Sequence, residues 1–247
     1  MARRDRPARR RRFLTGLAME PDRTRRIRSF VRRRGRLTTA QERALEELWP
    51  RYGVSADAAS EPGFWSRTFL ESGPLTLEIG FGMGHSLLAM AAADPERRFV
   101  GVEVHEPGIG ALLAGMEALG VGNIRILSAD VTEVLPRVFA PAELDRVQIF
   151  FPDPWPKKRH HKRRLVQPAF VAALGERVRS GGDLFLATDW TPYAEHMLEV
   201  LDAAPDWVNV AGAGQVVPRP ALRPQTRFEA RGLRRGHVVS DLHYRRV

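Results

Sequence analysis

Cysteine is absent from the 247 residues, which excludes a disulfide framework and any thiolate metal site. A reducing compartment fits that composition. Long apolar runs are missing too. Nothing approaches the roughly 20 residues of a membrane span, and the N-terminus lacks the apolar stretch of a secretory signal. The expectation is a soluble, cytoplasmic protein with no membrane partner. The first 26 residues have too few apolar side chains to pack, so 1–26 should be a disordered leader, with one folded domain over 27–247. Acid is missing from 154–164, where eight basic or titratable residues run on without a carboxylate.

Of the residues present, 43% are hydrophobic, enough for one α/β core. The net charge of +10 is unevenly placed. Residues 1–36 carry 15 Arg against Asp5, Glu20 and Asp22, which leaves the remainder at −2. An Arg-rich, acid-poor leader reads either as a transit peptide or as an arm adding sequence-independent RNA affinity. A short helix should follow at 39–49, capped by Thr38 or Thr39 and packing over one edge of the sheet.

A strand at 75–79 runs into Gly80-Phe-Gly-Met-Gly84 and a helix at 85–92, the order of a cofactor-binding βα unit. The spacing of Gly80, Gly82 and Gly84 differs from the Gly-x-Gly-x-x-Gly of dinucleotide binders. Glu78 lies two residues before the first glycine. It would repel a pyrophosphate but attract an ammonium, unless it is merely a local salt-bridge partner. A second strand at 98–102 ends in Glu103, placed to accept from ribose hydroxyls. A helix at 106–119 and a third strand at 124–127 lead to Asp130, which suits either an adenine amino group or a helix N-cap.

The fourth strand, 146–151, delivers Phe-Phe-Pro-Asp-Pro-Trp-Pro-Lys-Lys-Arg-His-His-Lys-Arg-Arg at 150–164. Pro152, Pro154 and Pro156 forbid continuation of strand or helix, so Asp153 and Trp155 sit on a stiff loop at the strand tip. A carboxylate and an aromatic beside a cationic strip suit a site that holds a base by its edge and its strand by the phosphates. His160 and His161 have no third ligand spaced nearby, so they read as phosphate contacts or surface residues, with no metal implied. A helix at 167–179 should be closed by Gly181-Gly182. A strand at 183–187 brings up Asp189, which is either a substrate contact or a cap. Strands at 207–210 and 237–244, the last antiparallel, complete seven.

The 150–164 run closely resembles the signature of the tRNA (guanine-N7-)-methyltransferases. Ile27-Arg-Ser-Phe-Val-Arg-Arg-Arg-Gly-Arg-Leu37 resembles the segment that opens bacterial members, which favours the RNA-arm reading of the leader and a chain acting without an obligate protein partner. Thr226-Arg227-Phe228-Glu229 matches the family's Thr-Lys-Phe-Glu segment, with Arg in place of Lys. The resemblance covers 27–247. It implies a Rossmann-like class I methyltransferase fold, α/β with a mostly parallel seven-stranded sheet and helices on both faces. It also implies S-adenosylmethionine as cofactor and tRNA as substrate, methylated at N7 of a variable-loop guanosine (position 46). The pattern itself places cofactor contacts at Glu78, Gly80, Gly82, Gly84, Glu103 and Asp130, and the resemblance implies a further cofactor contact and the catalytic role for Asp153. Substrate contacts would fall at Lys157, Asp189, Thr226, Arg227, Phe228 and Glu229. Arg159, His160, His161, Lys162, Arg163 and Arg164 would touch RNA.

Three other readings compete. Attack by an exocyclic amino group would favour Asp/Asn-Pro-Pro-aromatic, from which Asp-Pro-Trp-Pro departs. A non-catalytic RNA-binding protein on a retired methyltransferase fold would have eroded cofactor acids, and none is missing. A nucleotide-dependent oxidoreductase is disfavoured by Glu78 and the glycine spacing.

Overall fold

A computed structural model of the chain describes residues 29–30, 35–69, 72–225, 229 and 238–247. The leader at 1–26 and the Thr226-Arg227-Phe228 segment lie outside the described residues. Among the described residues, no helix is long and apolar enough to cross a membrane.

The sheet has eight strands, ordered in space β1 (Gly53–Val54), β4 (Ile124–Ser128), β3 (Arg98–Glu103), β2 (Leu75–Ile79), β5 (Leu144–Phe150), β6 (Val178–Thr188), β8 (Ser240–Arg246), β7 (Trp207–Asn209). All neighbours run parallel except β8, which is antiparallel to both β6 and β7. The seven expected strands are present, and the two-residue β1 extends the sheet at its β4 edge. Two residues are too few for any periodicity to signal.

Alternate side chains along each strand feed two cores. Leu75, Leu77, Ile79, Val147 and Ile149 belong to one, with α6 (Val131–Val138), α7 (Pro168–Arg177) and α8 (Thr191–Asp202). Phe99, Ile124 and Ile126 belong to the other, with α1 (Thr39–Tyr52), α4 (His85–Ala93) and α5 (Glu106–Leu119). Two short helices, α2 (Ala56–Ala59) and α3 (Phe64–Thr68), precede β2. Buried Trp65 in α3 donates its indole N–H to the Val138 carbonyl at 2.6 Å, which ties this entry segment to α6.

The N-cap of α1 is Thr38, in a capping box with Gln41. Ala44 and Leu45 join the second core, and Gln41 donates to the Pro107 carbonyl, so α1 packs on α5 as well as near the β4 edge. Gly181-Gly182 does not close α7, which ends at Arg177. The glycines lie inside β6, where the register with β5 shifts between Leu144 and Arg146. Gly181 has φ +75°, and a side chain on Gly182 would meet Val178 at 2.6 Å, so the pair marks a strand irregularity rather than a helix stop.

Strand order reverses between β2 and β5. Their carboxyl ends therefore frame the crevice where ligands bind an open α/β sheet.

Candidate active site

A cavity lies across that crevice, and Gly80, Glu103, Asp130 and Asp153 line it together with Ser29 and Phe30. Gly80, the first residue of the glycine turn, is part of its wall. Gly80, Gly82 and Gly84 all have positive φ, at +72°, +56° and +76°. Side chains on Gly80 and Gly82 would enter open space, so those two leave room for a ligand. One on Gly84 would strike Leu112 at 2.7 Å, so Gly84 serves the packing of α4, which it caps.

Glu103 is buried, and its carboxylate is already engaged. One oxygen accepts from Gly82 N–H at 2.8 Å, the other from Val104 N–H at 2.6 Å and His105 N–H at 3.0 Å. It thus braces the glycine turn against the tip of β3, with about one of its four lone-pair directions unused. Asp130 takes the N-cap role of the two open to it in the sequence, and its position also borders the cavity. At the start of α6 its Oδ1 accepts from the Thr132 N–H and hydroxyl. Glu78 lies beneath the turn, 2% exposed. Burial alone pushes its carboxyl up to about 8.

The loop that follows β5 is strained on both sides of Asp153. Phe151 and Trp155 take φ +52° and +45°, values that bulky residues adopt only under constraint. The constraints are visible. Phe151 N–H donates to the Ala187 carbonyl at 2.8 Å. Trp155 donates its indole N–H to the Ser29 carbonyl at 2.9 Å, with the Arg163 guanidinium 4.9 Å above its ring and His160 edge-on at 5.7 Å. Trp155 is thus an internal strut and does not present a bare face to a base.

Lys158–Arg163 form a 3₁₀-helix with Lys157 as N-cap. Lys157, Lys158, Arg159, Lys162 and Arg163 are exposed, whereas His160 and His161 are half-buried. Partial desolvation, with a smaller contribution from the neighbouring cations, holds His160 below its usual range. Arg164 departs from the expected RNA contact. It is 3% exposed, and its guanidinium donates to the Pro154 carbonyl at 3.0 Å and the Pro192 carbonyl at 3.1 Å, over the ring of Tyr193 at 4.9 Å. Two carbonyls and a ring take up what a phosphate would otherwise use. Sequence reasoning assigned neither this role nor one to Tyr193, because an Arg at the end of a charge run carries no mark of burial.

On the substrate side, Asp189 follows the end of β6, half-buried, and the N-cap of α8 is Trp190 rather than Asp189. Glu229 also departs from the expected substrate contact. Its side chain is 3% exposed, and both oxygens accept from Arg223, at 2.7 and 2.8 Å. Arg223 also donates twice to Asp241 at the start of β8, at 2.6 and 2.8 Å, and stands 5.5 Å from the Phe151 ring centre. Glu229, Arg223 and Asp241 therefore form a buried ion triad. No part of the motif predicts Arg223, six residues upstream in an irregular loop.

A mostly parallel sheet that reverses order at a glycine turn, with Glu78 beneath the turn and Glu103, Asp130 and Asp153 around one cavity, defines a Rossmann-like methyltransferase of the S-adenosylmethionine-dependent class. Solved structures agree on the fold. The 16S rRNA methyltransferase KamB superposes with a TM-score of 0.54 over 76% of this chain and 94% of its own, at 16% identity. The aminoglycoside resistance methyltransferase NpmB1 gives 0.51 over 86% and 95%, also at 16% identity. A family model described as "Putative methyltransferase" matches residues 72–242. Curated tRNA (guanine-N(7)-)-methyltransferases are far more similar. That of Stutzerimonas stutzeri is 54% identical over 222 residues, covering 90% of this chain and 92% of its own. That of Alkalilimnicola ehrlichii is 55% identical over 220 residues, covering 89% and 92%. The chain belongs to the tRNA (guanine-N(7)-)-methyltransferase family.

Proposed function

We propose that this chain transfers the methyl group of S-adenosylmethionine to N7 of a guanosine in the tRNA variable loop, at position 46. The observation that carries this reading is the placement of Asp153. It sits between two strained residues, lines the same cavity as Gly80, Glu103 and Asp130, and is followed within five residues by an exposed cationic helix.

The residues fit the cofactor's chemistry. S-adenosylmethionine has an ammonium and no phosphate, which suits a buried carboxyl, Glu78, under a turn where Gly80 and Gly82 keep space open. When bound it supplies an electrophilic methyl on a sulfonium. Glu78 would hold its ammonium, Glu103 its ribose and Asp130 its adenine amino group.

Guanine N7 already holds an in-plane lone pair, so no general base is required. Alignment and stabilisation of the cationic purine are the protein's tasks. Asp153, with Asp189, accepts from guanine N1–H and the 2-amino group, which selects guanine over adenine and favours the developing positive charge. Lys157, Arg159, Lys162 and Arg163 hold phosphates as point charges and forks. His160 and His161 lie at the inner edge of that strip. Thr226, Arg227 and Phe228 complete the substrate contact. The leader at 1–26 is an auxiliary RNA arm on a single catalytic domain. The enzyme works in the cytoplasm without an obligate protein partner.

The test is methyl transfer from labelled S-adenosylmethionine to unmodified bulk tRNA, followed by borohydride and aniline treatment, which cuts only at N7-methylguanosine. Scission at one variable-loop guanosine is expected. Incorporation without scission would place the methyl on another atom and overturn the reading.

A further inference from the structure

Trp155 is enclosed by Ser29, His160 and Arg163, so the aromatic beside the cationic strip keeps no free face for a base. A second tryptophan at the same end of the sheet has the opposite character. Of the five tryptophans in the chain, Trp190 alone is exposed, at 40%, and no other Phe, Tyr or Trp among the described residues is as open. Trp65 and Trp207 give their indole N–H groups to the Val138 and Val171 carbonyls. Among the described residues, the Trp190 indole has no such acceptor, and no ring or guanidinium stacks on it.

Its backbone is fixed by the fold. Trp190 is the N-cap of α8. Its N–H donates to the hydroxyl of buried Thr188 at 3.2 Å, and its carbonyl accepts from the N–H groups of Tyr193 and Ala194 at 2.8 and 3.1 Å. The indole therefore stands on a rigid mount, which keeps down the ordering cost of a contact made with it.

Its location ties it to the site. Phe150 of β5 and Ala187 of β6 are register partners, and Asp153 and Trp190 each lie three residues beyond that pair. Arg164, at the end of the cationic run, bonds to the Pro154 and Pro192 carbonyls, so the chain just past Asp153 is tied to the chain just past Trp190. Trp190 thus adjoins Asp189, the Asp153 loop and the end of the strip. Asp153 lines the cavity; Trp190 does not.

We propose that Trp190 is a further substrate-binding residue, whose indole stacks on a base next to the target guanosine while the strip holds the phosphates. Unpaired RNA is gripped in this way, with aromatic faces under bases and cations along the backbone, and one stacked base contributes on the order of tenfold in affinity. The target base belongs beside Asp153 and the cavity, which leaves its neighbour for a ring that stands outside the cavity. This inference rests on the function proposed above and adds to it a contact with a base that is not modified.

The experiment measures affinity for an unmodified tRNA transcript over a range of salt, for the full chain and for Trp190→Ala, Trp190→Leu and Trp190→Phe. Ala and Leu should each weaken binding about tenfold, and Phe should stay within about threefold, because only Phe keeps an aromatic face. Plots of log K against log salt should remain parallel, since stacking displaces no counterions. Melts and S-adenosylhomocysteine affinity should be unchanged. An abasic transcript lacking the base on one side of the target should cost the unaltered protein a similar factor and cost Trp190→Ala nothing further. Affinity within about twofold in Trp190→Ala would overturn the inference. So would equal losses in all three variants with a lowered melt, which would make Trp190 structural, or losses that add to those of both abasic transcripts. In each of those cases retained N7-specific scission would leave the proposed function standing. Absence of scission with the unaltered protein would overturn that function, and this inference with it.

Discussion

Arg164 donates to the carbonyl of Pro154, ten residues back in the chain, at 3.0 Å, and its other arm reaches Pro192 in the first turn of α8. One buried guanidinium thus joins the loop that carries Asp153 to the helix that follows Asp189. Arg164→Ala should destabilise the fold by about 2–3 kcal/mol, through the removal of charge-assisted bonds and of packing. It should also lower kcat well beyond any change in tRNA affinity. Urea melts and steady-state kinetics check this, and a variant with normal stability and weaker tRNA binding would make Arg164 a phosphate ligand after all.

The exposed members of the strip should behave differently. Removing Arg159 or Arg163 should leave the melt unchanged within about 0.5 kcal/mol. It should flatten the dependence of log K on log salt by roughly one for each phosphate no longer neutralised. Arg163 also lies over Trp155, so its removal should loosen the loop slightly as well.

The chain's only three lysines, Lys157, Lys158 and Lys162, lie in this strip, and every other cationic side chain apart from histidine is Arg. Amine-reactive footprinting therefore reports on the strip and the N-terminal amine alone. Bound tRNA should suppress modification at all three lysines. Undiminished labelling in a saturated complex would put the RNA on another face.

Glu78 makes the free protein sensitive to pH. Its folded carboxyl titrates at about 8 against 4.5 in the unfolded chain, so the folded state keeps a proton that the unfolded state releases. The stability this contributes is complete below pH 4.5 and is lost as pH rises to about 8, by up to about 1.4 kcal/mol per pH unit. Glu78→Gln should remove that component. Urea melts of both proteins at about pH 5 and about pH 8 test it, and parallel pH profiles would contradict it.

Arg223 holds Glu229 and Asp241 where neither meets solvent. Truncation to Met would remove a buried cation from beside two buried carboxylates, a destabilisation of about 3–5 kcal/mol. Desolvation, the larger cause, already holds Asp241 above the usual carboxylate range even with Arg223 present. Thermal melts of Arg223→Met and Arg223→Lys check the size of the effect and how far the fork geometry matters.

Much of this architecture is legible in the sequence, because alternation and glycine punctuation both report local physics. The strand at 75–79, the helix at 106–119 and the Thr38 cap appear where the periodicity places them. The acids at the crevice are readable for a related reason: each sits at a strand tip, and tips are marked by the end of an apolar run. What is not legible depends on partners distant in the chain. Arg164 and Glu229 carry charges that suggest solvent or substrate, yet each is buried by partners that no spacing rule connects, namely Pro192 and Arg223. Gly181-Gly182 resembles a helix stop and is a strand irregularity, since only the pairing with β5 decides between the two.

The most direct measurement is single-turnover methyl transfer to tRNA by Asp153→Asn, with S-adenosylhomocysteine affinity measured on the same preparation. A carboxylate that orients guanine and offsets the charge developing on it should cost at least about 100-fold in rate when neutralised. N7-specific scission should be lost, and cofactor affinity should change only severalfold. A rate within severalfold of the unaltered protein, with scission retained, would contradict the placement of the chemistry at Asp153.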